Sequence, residues 1–220
     1  MDSVCEQLVH ELQGSIAAKR RLLEDAEELQ AFARAVEMIT AAYQRGGRLY
    51  IAGNGGSSSD AQHLAAEFVG KLDVVRAPLP AEALPADAAT MTAIGNDFGY
   101  DEVFARQLQC KAMPQDVFLA LTTSGQSRNI IRALQQCRTQ GVRSVLFTGR
   151  GGGEARQYAD VCVIAPGNNS CRVQEVHIVL YHTLVRCVEG AIFSPEWTAS
   201  GPRMARETAA AHSVIAAHGS

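Results

Sequence analysis

The sequence predicts an α/β fold, a three-layer α/β/α sandwich around a central parallel sheet. Three observations predict it. Apolar runs of strand length recur along the chain, each run ends in Gly or Ser, and a stretch with helical periodicity follows. That alternation is what a parallel sheet covered by helices on both faces requires, because its strands are buried on both sides and joined by crossovers.

The first ~45 residues read as helix by their periodicity. Leu8, Leu12, Ile16 and Ala17 share one face, and Leu22, Leu23, Leu29, Phe32, Val36, Ile39 and Ala42 continue the pattern to Gly46-Gly47. Such a face either docks another subunit or packs on its own domain. Arg48-Leu49-Tyr50-Ile51-Ala52 is then a short strand ending in Gly53-Asn54-Gly55-Gly56-Ser57, with a helix over 58–72. Three of the seven prolines fall in 76–87, which reads as a loop with at most one short strand. Later strands fall at 117–122, 144–148 and 161–165, with helices over 129–140, before Gly141, and 172–189. Residues 1–193 are expected to form one domain that includes the N-terminal helices. Residues 194–220, Ala-, Ser- and Gly-rich after Pro195, are expected to be a mobile tail.

Composition narrows the function classes. The chain has 220 residues, 47% hydrophobic and 20% charged, with a formal charge of −3 and no Lys/Arg block. A nucleic-acid partner is therefore not expected, whereas a single small phosphate can be held by backbone amides without net charge. The six cysteines are scattered without a CxxC pair, as suits reduced thiols rather than a disulfide framework or zinc knuckle. No signal peptide opens the chain, and no uninterrupted apolar run approaches the roughly 20 residues that span a bilayer. A cytoplasmic protein without a membrane partner is the expectation.

Two strand-to-helix turns are candidate anion sites, Gly53-Asn54-Gly55-Gly56-Ser57 and Thr122-Thr123-Ser124-Gly125-Gln126-Ser127. Each places small and hydroxyl-bearing residues where helix N-terminal amides point outward. Neither carries a Walker Lys or a GxGxxG pattern, and either loop alone could simply cap its helix. Two at successive strand ends predict a binding cleft. His63 and Glu67 stand one helical turn apart just after the first loop, and His182 lies on the final helix beyond Gln174-Glu175. A carboxylate and an imidazole there suit general acid/base chemistry, and His63, Glu67 and a second His equally suit a divalent metal. A lone His such as His177 or His182 on an apolar helix is also commonly a satisfied core residue.

Taken jointly, these segments resemble the phosphoheptose isomerases, bacterial enzymes with the SIS (sugar isomerase) fold. The resemblance rests on Gly53-Asn54-Gly55-Gly56-Ser57, Asp60-Ala61-Gln62-His63 with Glu67, Ile94-Gly95-Asn96-Asp97-Phe98-Gly99-Tyr100, the Thr122–Ser127 loop, Thr148-Gly149-Arg150-Gly151-Gly152 and Arg172-Val173-Gln174-Glu175-Val176-His177, in order and without large gaps. It implies interconversion of sedoheptulose 7-phosphate and D-glycero-D-manno-heptose 7-phosphate through a cis-enediol. By the same resemblance Asn54, Gly55, Gly56, Ser57, Glu67 and Gln174 contact the sugar with Asn96 and Asp97, and Thr122, Thr123, Ser124 and Ser127 hold the phosphate. His63, Glu67, Gln174 and His182 match the family's zinc positions, one Zn2+ per subunit, and Glu67 with His182 match its acid/base pair. Glu67 is read as base and His182 as acid, roles that could be exchanged. The implied assembly is a homotetramer with sites at subunit interfaces, the N-terminal helices lying there.

The chain departs from the family pattern at three places. Thr122 and Gln126 replace Ser and Asn of the phosphate loop and keep their hydrogen-bonding capacity. Lys71 replaces a common Arg, keeping the charge but losing the bidentate fork. A non-catalytic SIS-domain protein, binding a replication initiator or sensing a sugar phosphate, is the rival from another class, and an isomerase of another phosphosugar is a third reading. Glu67, Gln174 and His182 together with the Gly95–Gly99 segment favour the heptose enzyme.

Overall fold

The computed structural model describes residues 2–73 and 75–194; the expected tail, from residue 195 on, lies outside the described residues. Five parallel strands, β1 (Leu49–Gly53), β2 (Ala81–Ala83), β3 (Val117–Thr122), β4 (Arg143–Thr148) and β5 (Val161–Ile164), pair in the order β2-β1-β3-β4-β5. Leu49 lies opposite Val117 and Val117 opposite Arg143. All of β1 and β3 is buried, as continuous apolar strands between two helical layers must be.

Seven helices cover the sheet among the described residues: α1 (Asp2–Glu24), α2 (Ala26–Gln44), α3 (Gly56–Val69), α4 (Ala88–Phe98), α5 (Ala105–Lys111), α6 (Arg128–Gln140) and α7 (Ser170–Phe193). Strand side chains alternate between two cores. Leu49, Ile51, Leu119, Val145 and Phe147 pack with Leu22, Ile39, Phe68 and Leu184, from α1, α2, α3 and α7. Tyr50, Phe118, Ala120 and Leu146 point the other way, onto Leu108 of α5 and Ile130 and Leu134 of α6. The three-layer sandwich is therefore present.

Several boundaries differ from the sequence reading, each for a local reason. The first helical stretch is two helices, because the Asp25 carboxylate accepts the Glu28 N–H at 3.1 Å and restarts the chain as an N-cap. Helix α3 begins at Gly56 and stops at Val69, where Arg76 takes over its last carbonyls, Phe68 O at 2.7 Å and Glu67 O at 2.9 Å. Helix α7 starts earlier and ends later than 172–189, capped by Asn169 through the Arg172 N–H at 2.9 Å. Helices α4 and α5 were not legible: α4 buries no residue, and α5 has only seven. The loop over 76–87 does contain one short strand, β2.

Two helices bear on what the molecule can contact. The apolar face of α1 does not pack on its own chain: Leu8, Leu12 and Ile16 are each more than half exposed, and only Ala18 and Leu22 reach the core. Helix α7 is long and apolar enough to cross a membrane by length and composition alone. Here it is a core helix that buries Val176, Tyr181, Leu184 and Val188.

Candidate active site

The strand order sets the position of the cleft. From β1 the chain crosses to β2 on one side of the sheet, then returns to β3 on the other, so the carboxyl ends of β1 and β3 part their following segments and leave a crevice. A cavity of about 320 Å³ lies there, lined by Asn54, Gly56, Ser57, Thr122, Thr123, Ser124, Ser127, Ser170 and Gln174. Six of these residues carry hydroxyls. Neither α3 nor α6 has a side-chain N-cap bond, so the positive ends of both helices face the cleft uncapped.

Backbone contacts hold the second loop in shape. Gly125 has φ +64°, and a Cβ there would overlap the Gly152 carbonyl, so the loop after β3 lies directly on the loop after β4. The Ala155 N–H donates to Gly125 O at 2.9 Å across the same junction. Within the loop, Ser124 Oγ accepts the Gln126 N–H at 3.2 Å, and Thr123 Oγ1 donates to Ser170 Oγ at 3.1 Å. Thr122 and Ser127 hydroxyls lie 3.4 Å apart.

The first loop is locked from two directions. Asn54 and the buried Asn129 exchange amide hydrogen bonds at 2.9 and 2.8 Å. The Tyr100 hydroxyl donates to the same Asn54 Oδ1 at 3.0 Å, reaching over from the segment after α4. Opposite, Gln174 of α7 lies so close to Gly56 that any side chain at 56 would collide with its amide. A Cβ at position 56 would oblige the Gln174 amide to move aside.

A second constellation lies further along α3 and α7. His63 Nε2 is 3.2 Å from Glu67 Oε1, the His63 and His182 rings stand edge to face at 5.1 Å, and ligand atoms of His63, Glu67 and His182 all lie within 4.8 Å of one another. Two imidazoles and a carboxylate at that spacing suit a borderline divalent cation. The other ring nitrogen of His63 meets the Tyr181 hydroxyl at 3.1 Å, the kind of outer partner a ligating imidazole ordinarily has. Tyr181 also reaches Asp60 Oδ1 at 3.5 Å, and burial pushes the Asp60 carboxyl up while Tyr181 and His63 pull it down. His177 belongs to neither group. It is fully buried, donates from Nε2 to Thr148 O at 3.3 Å, and burial drives its pKa down to about 4.

Comparison with known proteins places this geometry. A family model described as "SIS domain" matches residues 16–149. A phosphoheptose isomerase of Aneurinibacillus thermoaerophilus is 43% identical over 182 residues, 83% of this chain and 92% of that protein. The chain belongs to the phosphoheptose isomerase family of SIS-domain proteins. Two solved phosphoheptose isomerases share its fold. That of Neisseria gonorrhoeae superposes with TM-score 0.79 at 33% identity, over 85% of this chain and 99% of that one. That of Francisella tularensis gives TM-score 0.80 at 30% identity, over 84% and 97%.

Among phosphoheptose isomerase positions read from the sequence, the structure brings Asn54, Gly56, Ser57, Thr122, Thr123, Ser124, Ser127 and Gln174 around one cleft. Gly55 adjoins it as the residue preceding α3, with φ +56°. His63, Glu67 and His182 form their own cluster, and Gln174 stands with the cleft, eight residues before His182 or about 12 Å along the helix axis. Asn96 and Asp97 are exposed on α4, where Asn96 Nδ2 donates to Asp97 Oδ1 at 2.8 Å, and neither lines the cleft of this chain. Sequence reasoning gave no role to Asn129, Tyr100, Ser170, Asp60 or Tyr181. Tyr100 and Asp60 sit inside the quoted motifs and Tyr181 beside His182, which is the only signal that could have singled them out.

Proposed function

We propose that this chain interconverts sedoheptulose 7-phosphate and D-glycero-D-manno-heptose 7-phosphate. The observation that carries this reading is the hydroxyl-lined cleft at the β1/β3 crevice, combined with a carboxylate–imidazole cluster on the helices that leave it. The first holds a phosphorylated polyol and the second moves protons, which together make an aldose–ketose isomerase.

Thr122, Thr123, Ser124 and Ser127 bind the phosphate with the N-terminus of α6. Asn54, Gly55, Gly56 and Ser57 line the sugar with Gln174, and Asn96 and Asp97, which lie outside the cleft of this chain, would add contacts only in the assembled oligomer. Starting from the ketose, the Glu67 carboxylate removes a proton from C1 while His182 protonates the carbonyl oxygen at C2, giving the cis-enediol. Return of the carbon-bound proton to C2 and loss of the C1 hydroxyl proton to His182 yield the aldose, with both groups restored. His63, Glu67 and His182 would hold one zinc per subunit, and Gln174, which stands with the cleft about 12 Å along α7, would join them as fourth ligand only from a neighbouring subunit. When bound, the ion supplies polarisation of substrate oxygens.

The working assembly is a homotetramer with sites between subunits. Two features support it: the unpacked apolar face of α1, and the separation, within one chain, of the cleft from the imidazole cluster. Residues 1–193 form its single domain, and the cytoplasm is its compartment.

The test is incubation of the purified protein with sedoheptulose 7-phosphate, followed by NMR for a new aldoheptose 7-phosphate, with and without chelator. Appearance of the aldose supports the reading, and its loss with chelator supports a working metal. No product from intact, zinc-supplied protein overturns it in favour of a non-catalytic sugar-phosphate-binding protein.

A further inference from the structure

We propose that Asp60 and Tyr181 are positioning residues that turn His63 into a cation ligand, a role resting on the zinc assignment above. Tyr181 is wholly buried on α7, with its hydroxyl between His63 Nδ1 at 3.1 Å and Asp60 Oδ1 at 3.5 Å. The opposite ring nitrogen, Nε2, faces Glu67 Oε1 at 3.2 Å. Asp60 Oδ2 is buried and has no hydrogen-bond partner among the described residues.

A neutral imidazole carries one proton, which permits two arrangements. In the first, Nε2–H donates to Glu67 and the Tyr181 O–H donates to Nδ1. In the second, the proton sits on Nδ1 and is donated to the Tyr181 oxygen, and the Tyr181 O–H turns to Asp60. Only the second leaves a lone pair on Nε2, aimed into the cluster with Glu67 and His182. A cation held at Nε2 would therefore require the ring proton on Nδ1, reached from the first arrangement by solvent exchange with no net gain or loss. The hydroxyl can follow only because Asp60 offers an acceptor.

Keeping a half-satisfied carboxylate out of water costs stability. Asp60 hydrogen-bonds neither His63, Glu67 nor His182 directly, so apart from the field of its charge, which Asp60→Ala removes, it reaches the ligating nitrogen only through Tyr181. The relay gives it as much influence as Tyr181. Removing Asp60 leaves the Tyr181 hydroxyl donating to Nδ1, which holds the proton on the ligating nitrogen.

The experiment uses the full chain and zinc alone, without substrate, so the inference and the isomerase reading can fail separately. Zinc affinity is measured by competition with a chromophoric chelator, and the His63 tautomer by two-bond 1H–15N NMR, assigned with His63→Gln. Expected are an Nδ1–H tautomer in zinc-loaded wild type and affinity about 10- to 100-fold weaker in Tyr181→Phe. Asp60→Ala weakens zinc at least as much, and Asp60→Asn, which keeps an acceptor oxygen, stays nearer wild type. Unchanged affinity in a folded Tyr181→Phe or Asp60→Ala protein overturns the inference, as does a proton on Nε2 in the zinc-loaded state. A wild type that binds no zinc overturns both it and the zinc assignment, while leaving the phosphate cleft and the proton-transfer pair standing.

Discussion

Arg76 and Glu189 form an ion pair at 2.8 Å with side chains only 2% and 4% exposed. The same guanidinium caps the last turn of α3 through the Glu67 and Phe68 carbonyls, so it latches the helix that carries Glu67 to the helix that carries His182. Removing one partner of such a pair strands a buried charge. Glu189→Gln should therefore cost about 3 kcal/mol and lower Tm by on the order of 10 °C, read by thermal denaturation. A Tm within 2 °C of wild type, about the effect of a surface change, would remove the latch from the account.

Glu67→Gln keeps the size of the side chain and deletes the base. The expected outcome is a kcat lower by about 10²- to 10⁴-fold, with the melting curve and substrate KM close to wild type. Normal turnover by this variant would dismiss Glu67 from the role.

Ser124→Ala removes one hydroxyl from the phosphate loop and frees the Gln126 N–H it accepts. A hydrogen bond to a charged phosphate contributes about 1.5–3 kcal/mol, so KM should rise roughly 10- to 100-fold while kcat changes little. Steady-state kinetics separate this pattern from that of Glu67→Gln.

His177 links stability to acid. Its folded pKa lies near 4, against an ordinary value of 6.5, because burial disfavours the charged ring. A depressed folded value means the unfolded chain binds more protons between the two, so stability rises with pH across that window. The contribution is complete above about pH 6.5 and is lost as the pH falls toward 4, roughly 3 kcal/mol in all. Urea unfolding at pH 7, 5.5 and 4.5 should show this fall, and His177→Gln should flatten it.

What the sequence disclosed depended on whether the governing contacts were local. Strands β3, β4 and β5 were readable because each is a continuous apolar run bounded by Gly, Ser or charged residues. The two anion loops were readable because their small residues directly follow β1 and β3. The break at Asp25 was hidden, since apolar periodicity continues through it and only the carboxylate's bond to Glu28 N–H marks a restart. Helix α4 was hidden for another reason: it buries no residue fully, and only Met91 and Ile94 pack partly against the core. The partnership of Tyr181 with His63 spans 118 residues, and no spacing rule joins positions so far apart.

The reciprocal amide pair of Asn54 and Asn129 joins residues 75 apart, one in the loop after β1 and the other in the first turn of α6. Between them the chain must complete α3, β2, α4, α5 and β3 before the two can meet. Contacts of such long sequence separation form late, because the closure entropy of the intervening chain has to be met first. A nascent or partly folded molecule, however much helix it has formed, therefore holds no place for a sugar phosphate. A ligand that binds only the finished cleft shifts the equilibrium toward the folded protein.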